Sequence, residues 1–338
     1  MGWIKYLRIW LAAKFFLVFT ICIAVGCKKS DESGKSDDGA SLRLQIDYYP
    51  EASHGGLYQA ILKDFFQKKG VNNRVEILPG GSGVYPMQRV ALGHAEFGIA
   101  RLDDLLMAIE RGLPLKAVIA TYQRDPQGLM FHRGQGIYDF KDLDGRKVMA
   151  RPGAGFITWI EKKYGISFEL VPLNYDIAQF LADSTLVQQC YVTSQPYYVR
   201  KAGIEVETLL LADTGFDPIR VLYVNTKFSN HNPDLVRHFA EAVLIGIEDY
   251  LNGDRSETDE LLLKLNPINV PGLNDFTIEQ IRKYRLIEGN ADSGESLGKI
   301  DRARVMETVQ IMIEVGMLQK LLSYDEIVDA SMLSNIVD

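Results

Sequence analysis

Cysteine is scarce in this chain: three occur in 338 residues, at positions 22, 27 and 190. The first two belong to an N-terminal segment, so Cys190 stands alone in the body of the protein and no intrachain disulfide is available there. Histidine is nearly as sparse. The five residues His54, His94, His132, His231 and His238 show no zinc-ligand spacing, which argues against a metal centre. There is no Walker A pattern, no nucleophile elbow and no Ser-His-Asp ordering. A Cys-rich iron-binding cluster is likewise missing. Basic residues are outnumbered, 37 against 44 acidic, for a formal charge of −7. An acidic surface opposes binding to nucleic acid or broad adhesion to anionic lipid.

What is present begins with the first forty residues. Lys5, Arg8 and Lys14 precede an apolar run from Phe15 to Val25. That run falls short of the ~20 residues of a bilayer span but suits a signal-peptide core. Ala24, Val25 and Gly26 before Cys27 resemble a bacterial lipobox, although Ala24 stands where Leu is usual. Residues 1–26 therefore read as a lipoprotein signal peptide, Cys27 as the acylated residue, and 27–40 as a flexible tether holding the protein outside the cytoplasmic membrane. Removing residues 1–26 takes three cations and no acids, moving the charge from −7 to −10.

The remaining chain alternates strands and helices. Leu42–Tyr48, Arg74–Leu78, Phe97–Ala100 and Leu115–Tyr122 read as strands with helices between them, which predicts a mainly parallel sheet covered on both faces. A second α/β unit opens after the Gly134-Gln135-Gly136 turn and closes near Arg220, where Arg220–Asn225 reads as a strand re-entering the first. From Pro233 the pattern is mostly helical, including Leu235–Asn252 and Asp301–Leu322. One unit inserted in another predicts two lobes, 41–132 with 221–338 and 133–220, joined by crossings near 132 and 220. Length supports this, because about 310 residues exceed one ordinary core.

Three phrases carry a family resemblance. Asp47-Tyr48-Tyr49-Pro50 through His54-Gly55-Gly56-Leu57-Tyr58-Gln59-Ala60 is similar to the first strand, aromatic-Pro loop and His-x-Gly-Leu-Tyr helix start of solute-binding proteins for thiamine-pyrimidine precursors, riboflavin, sulfonates and nitrate. Val90 to Ile99 resembles the family's small-Gly-x-Ala-Asp-Phe-Gly turn, with Glu96 in place of Asp. Phe140 to Val148 resembles its Leu-Lys-Gly-Lys-x-Val entry to the second lobe. The resemblance implies a type II periplasmic-binding fold of two lobes, each a mainly parallel sheet flanked by helices, with a helical C-terminal tail. It also implies an extracytoplasmic, monomeric, non-enzymatic component of an ABC importer, without a cofactor, whose permease and ATPase are separate chains. The His54–Ala60 phrase points to the pyrimidine and riboflavin branch. Gln189-Cys190-Tyr191 departs from the pattern, which leaves the ligand open; the alternatives are an oxyanion or sulfonate receptor and, less favoured, a non-transport sensor or an enzyme on the same fold.

In such a fold a small ligand sits against loops at the carboxyl ends of strands. Those loops nominate Tyr48, Tyr49 and His54, then Gly81, Ser82 and Tyr85, then Arg101 and Gln123 from the first lobe. The second lobe nominates Gly153, Gly155, Tyr175, Gln195 and Tyr197. Tyrosines suit a planar heterocycle because they combine stacking area with a hydroxyl. Tyr48 and Tyr49, consecutive on a strand end, are expected to point oppositely, so that one of them faces the cleft. Gly80–Gly83 could present backbone N–H groups to an anion, and Gly153-Ala154-Gly155 could cover a bound ring. Cys190, on an apolar strand end, is expected to be an inert buried thiol.

Overall fold

The computed structural model describes residues 41–329 except 82 and 175. Cys27, the apolar run before it, Ser82 and Tyr175 therefore lie outside the described residues. Among the described residues no helix is long and apolar enough to cross a membrane.

Two five-stranded sheets organise the chain. The first holds β1 (Leu42–Gln45), β2 (Val75–Leu78), β3 (Phe97–Arg101), β4 (Leu115–Tyr122) and β10 (Arg220–Asn225), in the order β2-β1-β3-β10-β4. The second holds β5 (Gln127–His132), β6 (Lys147–Ala150), β7 (Glu169–Pro172), β8 (Val187–Tyr191) and β9 (Val206–Leu210), in the order β7-β6-β8-β5-β9. Strand β1 runs parallel to β2 and β3, and β6 parallel to β7 and β8. One strand in each sheet is reversed: β10 against β3 and β4, and β5 against β8 and β9. Each reversed strand is the first one laid down after a crossing between lobes.

That placement moves one expected boundary. Leu129–His132 reads locally as a strand leaving the first lobe, yet β5 pairs only within the second sheet. The outward crossing therefore lies at 123–126, before β5, not near 132. The return segment, 211–219, leads from β9 to β10. Sheet membership depends on distant partners, which a run of buried apolar residues does not name.

The sheets are flanked by helices that include α1 (Gly55–Leu62), α2 (Leu102–Glu110), α3 (Gly155–Tyr164), α4 (Gln195–Lys201), α5 (Pro233–Asn252), α6 (Leu273–Lys283) and α7 (Arg302–Glu314). Helix α1 crosses α5 at glycine. A Cβ on Gly56 would lie 2.5 Å from the Ile247 Cα, and one on Gly246 would collide with the Gly56 carbonyl. The His-Gly-Gly phrase thus lets two backbones approach closely. Behind it Phe97 and Phe239 stack at 3.8 Å between centroids, and both are fully buried. Two other expectations shorten. Strand β1 stops at Gln45, so Tyr48 and Tyr49 lie in a bend. Helix α7 stops at Glu314, because Gly316 adopts φ +77° and Met317 N–H turns back to the Met312 carbonyl at 2.8 Å, a helix-ending geometry that favours glycine.

The two crossings are tied together by one side chain of α7. Arg304 donates from Nη2 to Asp217 Oδ2 at 2.7 Å and to the Gln123 carbonyl, and from Nη1 to Glu295 Oε1 at 2.8 Å. Asp217 also accepts the Asp125 backbone N–H at 2.6 Å. Outward and return segments are thereby held side by side.

Candidate functional site

The bend after β1 is set by charge. Asp47 Oδ1 lies 3.1 Å from His54 Nε2 and pairs with Arg220 Nη2, while Arg220 Nη2 lies 2.9 Å from His54 Nε2. Burial alone pushes the Asp47 carboxyl up, but the Arg220 charge and the His54 contact win and hold it well below the usual range. Asp47 is thereby anchored to β10 just beyond the end of β1, and in the bend that follows the rings of Tyr48 and Tyr49 meet edge-to-face at 5.2 Å.

A second charge cluster sits at the end of β3. Arg101 Nη2 donates to Asp103 Oδ2 at 2.7 Å and lies 3.3 Å from Asp125 Oδ2. All three side chains are buried. Burial pushes Asp103 up to about 7 and Asp125 up to about 6, against the attraction of Arg101. One guanidinium does not fully offset two buried carboxylates.

The opposite wall belongs to the second lobe and is built of amides. Gln127, Gln188, Gln189 and Gln195 come from β5, β8 and the start of α4. Gln189 Oε1 accepts the Arg151 backbone N–H at 2.8 Å, and Gln195 Oε1 accepts the Tyr191 N–H at 2.7 Å. Between the walls lies a cleft of about 250 Å³, with Asp47, Tyr48 and Arg101 on one side and these glutamines on the other. It adjoins a second space of about 330 Å³ bordered by Tyr85, Met87 and Met107, with Asp47, Arg101, Asp104 and Arg151 shared between the two. The volumes are those of a small-molecule site. Cys190 also borders the cleft, and burial pushes its thiol far up, so it is not a nucleophile at neutral pH.

The nominated residues divide. Tyr48, Arg101, Gln195 and Tyr85 line these spaces. His54 is buried behind them against Asp47 and Arg220. Gln123 belongs to the crossing, where its Nε2 donates to the Lys299 carbonyl at 2.8 Å. Gly81 lies under the Tyr49 ring, where a Cβ would come within 2.5 Å of Cζ, so that pair packs on itself. Gly155 faces Met317 Sδ, so it covers the first lobe's tail and not a ligand. Tyr197 donates its hydroxyl to the Pro271 carbonyl at 2.6 Å, across the lobes. Gly153 turns at φ +75° with no atom near a built Cβ. The opposite-pointing argument for Tyr48 and Tyr49 fails, since both rings leave a bend together. Tyr48 nonetheless is the one on the cleft.

Sequence reasoning passed over Asp47, Asp104, Gln127, Arg151, Gln188 and Gln189, all of which border the cleft. Asp47 directly precedes Tyr48, and Arg151 directly follows β6 beside the nominated glycines, so strand ends signal these two. Gln127 carries no such signal, because the local pattern places β5 with the other lobe.

Residues 51–255 match the family described as NMT1/THI5 like. A riboflavin-binding protein of Chloroflexus aurantiacus is 26% identical over 240 residues, covering 67% of this chain and 66% of that protein, just under two thirds of its length. A formylaminopyrimidine-binding protein of Halalkalibacterium halodurans is 22% identical over 79% of this chain and 84% of its own. Yeast proteins named as hydroxymethylpyrimidine phosphate synthases are 22% identical over 60% of the chain and 64% of theirs. In three dimensions the periplasmic aliphatic sulphonate binding protein of Escherichia coli superposes with a TM-score of 0.65 at 14% identity, covering 85% of this chain and 91% of that one. That likeness concerns the fold, which is the two-lobed periplasmic-binding architecture. With more than half its length matched, the chain belongs to the NMT1/THI5-like family.

Proposed function

We propose that this protein is the solute-binding component of an ABC-type importer and that its cleft takes a neutral, planar nitrogen heterocycle. The observation that carries the reading is the chemistry of the cleft. Each cation there already has carboxylates of its own: Arg101 has Asp103 and Asp125, and Arg151 has Asp104. The cation behind the wall, Arg220, has Asp47. A sulfonate or nitrate entering this site would meet no uncompensated positive charge. A heterocycle would meet two tyrosines, Tyr48 and Tyr191, and four amides, which suit a ring face and polar ring atoms that both donate and accept. The riboflavin- and formylaminopyrimidine-binding relatives support the same class. In this reading the lobes close on the solute about the Arg304-bound crossings. Cys27 carries the lipid that keeps the protein at the outer face of the membrane, and permease and ATPase are separate chains.

An anion receptor is the second reading, favoured by Arg101 Nε, which is buried without a hydrogen-bond partner. Thermal-shift measurements on the mature protein with riboflavin, formylaminopyrimidine, an alkanesulfonate and nitrate separate the two. A bound ligand raises the midpoint by mass action. The account expects a shift with a heterocycle and none with the anions; a shift with the sulfonate alone gives the second reading.

A further inference from the structure

The lobes also touch away from the crossings, along helix α6 of the first lobe. Just beyond its C-terminal end the chain docks on the outward crossing, where the Leu286 carbonyl accepts the Gln123 and Arg124 N–H groups at 2.8 and 2.9 Å. Contacts with the second lobe follow from there. Thr208 Oγ1 and the Tyr284 hydroxyl lie 2.9 Å apart, and Thr277 Oγ1 donates to the Thr193 carbonyl at 2.9 Å. Past the N-terminal end, Tyr197 and Tyr198 of α4 donate to the Pro271 and Ile268 carbonyls at 2.6 and 3.2 Å. The 11 residues of α6 span about 16 Å at 1.5 Å per residue. A rotation about the crossings therefore moves this outer pair most. The outer bonds are exposed and the Thr277 bond is buried, so water can replace the tyrosine contacts when they part.

The loop before α6 is shaped for these tyrosines. Gly272 holds φ +87°, and a Cβ there would come within 2.6 Å of the Tyr197 hydroxyl. Buried Asn266 and Asn269 both donate from Nδ2 to the Pro50 carbonyl at 3.1 Å. The loop is thus fastened to the bend that carries Tyr48. Tyr197 and Tyr198 themselves stand outside the set of residues that border the cleft and its adjoining space.

We propose, resting on the solute-binding reading above, that Tyr197 and Tyr198 are a clasp whose hydroxyls hold the lobes shut over a bound solute and set how long it stays. They are positioning residues and do not touch the solute. Closure seats them on the loop fastened to Tyr48, which fixes the two walls of the cleft at its outer edge as well as at the crossings. Removing both hydroxyls takes away two modest, water-replaceable hydrogen bonds and should shift the balance of shut and open lobes by about tenfold. A solute leaves through the open state, so the loss falls on dissociation and not on association.

Stopped-flow kinetics with formylaminopyrimidine compare wild type with Tyr197→Phe/Tyr198→Phe, which keeps both rings and their packing. Dissociation should quicken about tenfold, and association should change less than about twofold. Gly272→Ala keeps both hydroxyls but crowds the seat of Tyr197, and should quicken dissociation in the same sense. Small-angle scattering of the ligand-free proteins gives a readout that needs no solute: the double variant should have the larger radius of gyration. Unchanged dissociation in the double variant, or a loss confined to association, overturns the clasp and leaves the heterocycle reading standing. If wild type does not bind formylaminopyrimidine, the heterocycle reading falls and scattering decides the clasp, with identical profiles overturning it.

Discussion

Arg151 Nη2 lies 3.8 Å from Asp104 Oδ1, and the two residues come from opposite lobes, the residue just after β6 and the first turn of α2. Their side chains are 42% and 31% exposed, so the pair is a solvent-screened contact across the cleft mouth. Exposed ion pairs are worth about 0–1 kcal/mol. Arg151→Ala should therefore shift the balance of open and closed lobes only slightly. Ligand affinity should fall less than about fivefold, with the difference vanishing in high salt. Calorimetry at two ionic strengths reads this directly; a hundredfold loss would mean that Arg151 binds the ligand itself.

The tyrosines differ in what they touch. Tyr48 borders the cleft, whereas the Tyr49 ring packs over Gly81. An aromatic pair contributes about 0.5–1.5 kcal/mol beyond its buried area, at about 25 cal/mol per Å². Tyr48→Ala should weaken ligand at least about tenfold, and Tyr49→Ala much less. Equal losses in calorimetry would show that the bend and not the ring is at issue.

Arg220→Met tests the charge cluster behind the cleft. It leaves Asp47 and His54 without their cation, and the methionine refills much of the volume. Breaking a fully buried pair costs about 3–5 kcal/mol. Asp47 keeps 24% of its side chain in solvent, so a loss of roughly 2–4 kcal/mol is expected in urea unfolding. A loss below ~1 kcal/mol would show that the cluster does not set the bend.

The Arg101 cluster predicts a pH dependence of definite sign. Asp103 and Asp125 bind protons more tightly folded than unfolded. Stability from these groups is complete below about pH 4 and falls as pH rises toward 7, by up to about 1.4 kcal/mol per pH unit for each proton. Asp47 acts oppositely, losing its contribution only in acid. Urea midpoints should thus be higher at pH 5 than at pH 8, and Asp103→Asn should flatten the difference. A midpoint that rises from pH 5 to 8 contradicts the assignment.

The sequence disclosed the fold better than the site, for physical reasons. Strands such as Leu115–Tyr122 and Arg220–Asn225 are buried runs of β-formers, and their alternation with helices left one class of architecture. Assigning β5 to a lobe required knowing its partners, which local pattern does not contain. Arg101 and Tyr48 were legible as loop residues after strands. His54-Gly55-Gly56 looked like binding chemistry, but its glycines serve the α1–α5 crossing and its histidine a buried charge cluster. Gln189 was invisible because an amide becomes specific only through the neighbour that orients it.

The account stands or falls on the charge of what the cleft prefers. Calorimetric competition on the mature protein, a heterocycle such as formylaminopyrimidine against an alkanesulfonate, at low and high salt, measures this in one experiment. The account predicts that the heterocycle displaces the sulfonate and that its affinity changes less than about threefold with salt, because no net charge is exchanged. Tighter binding of the sulfonate, lost steeply as salt rises, would contradict it.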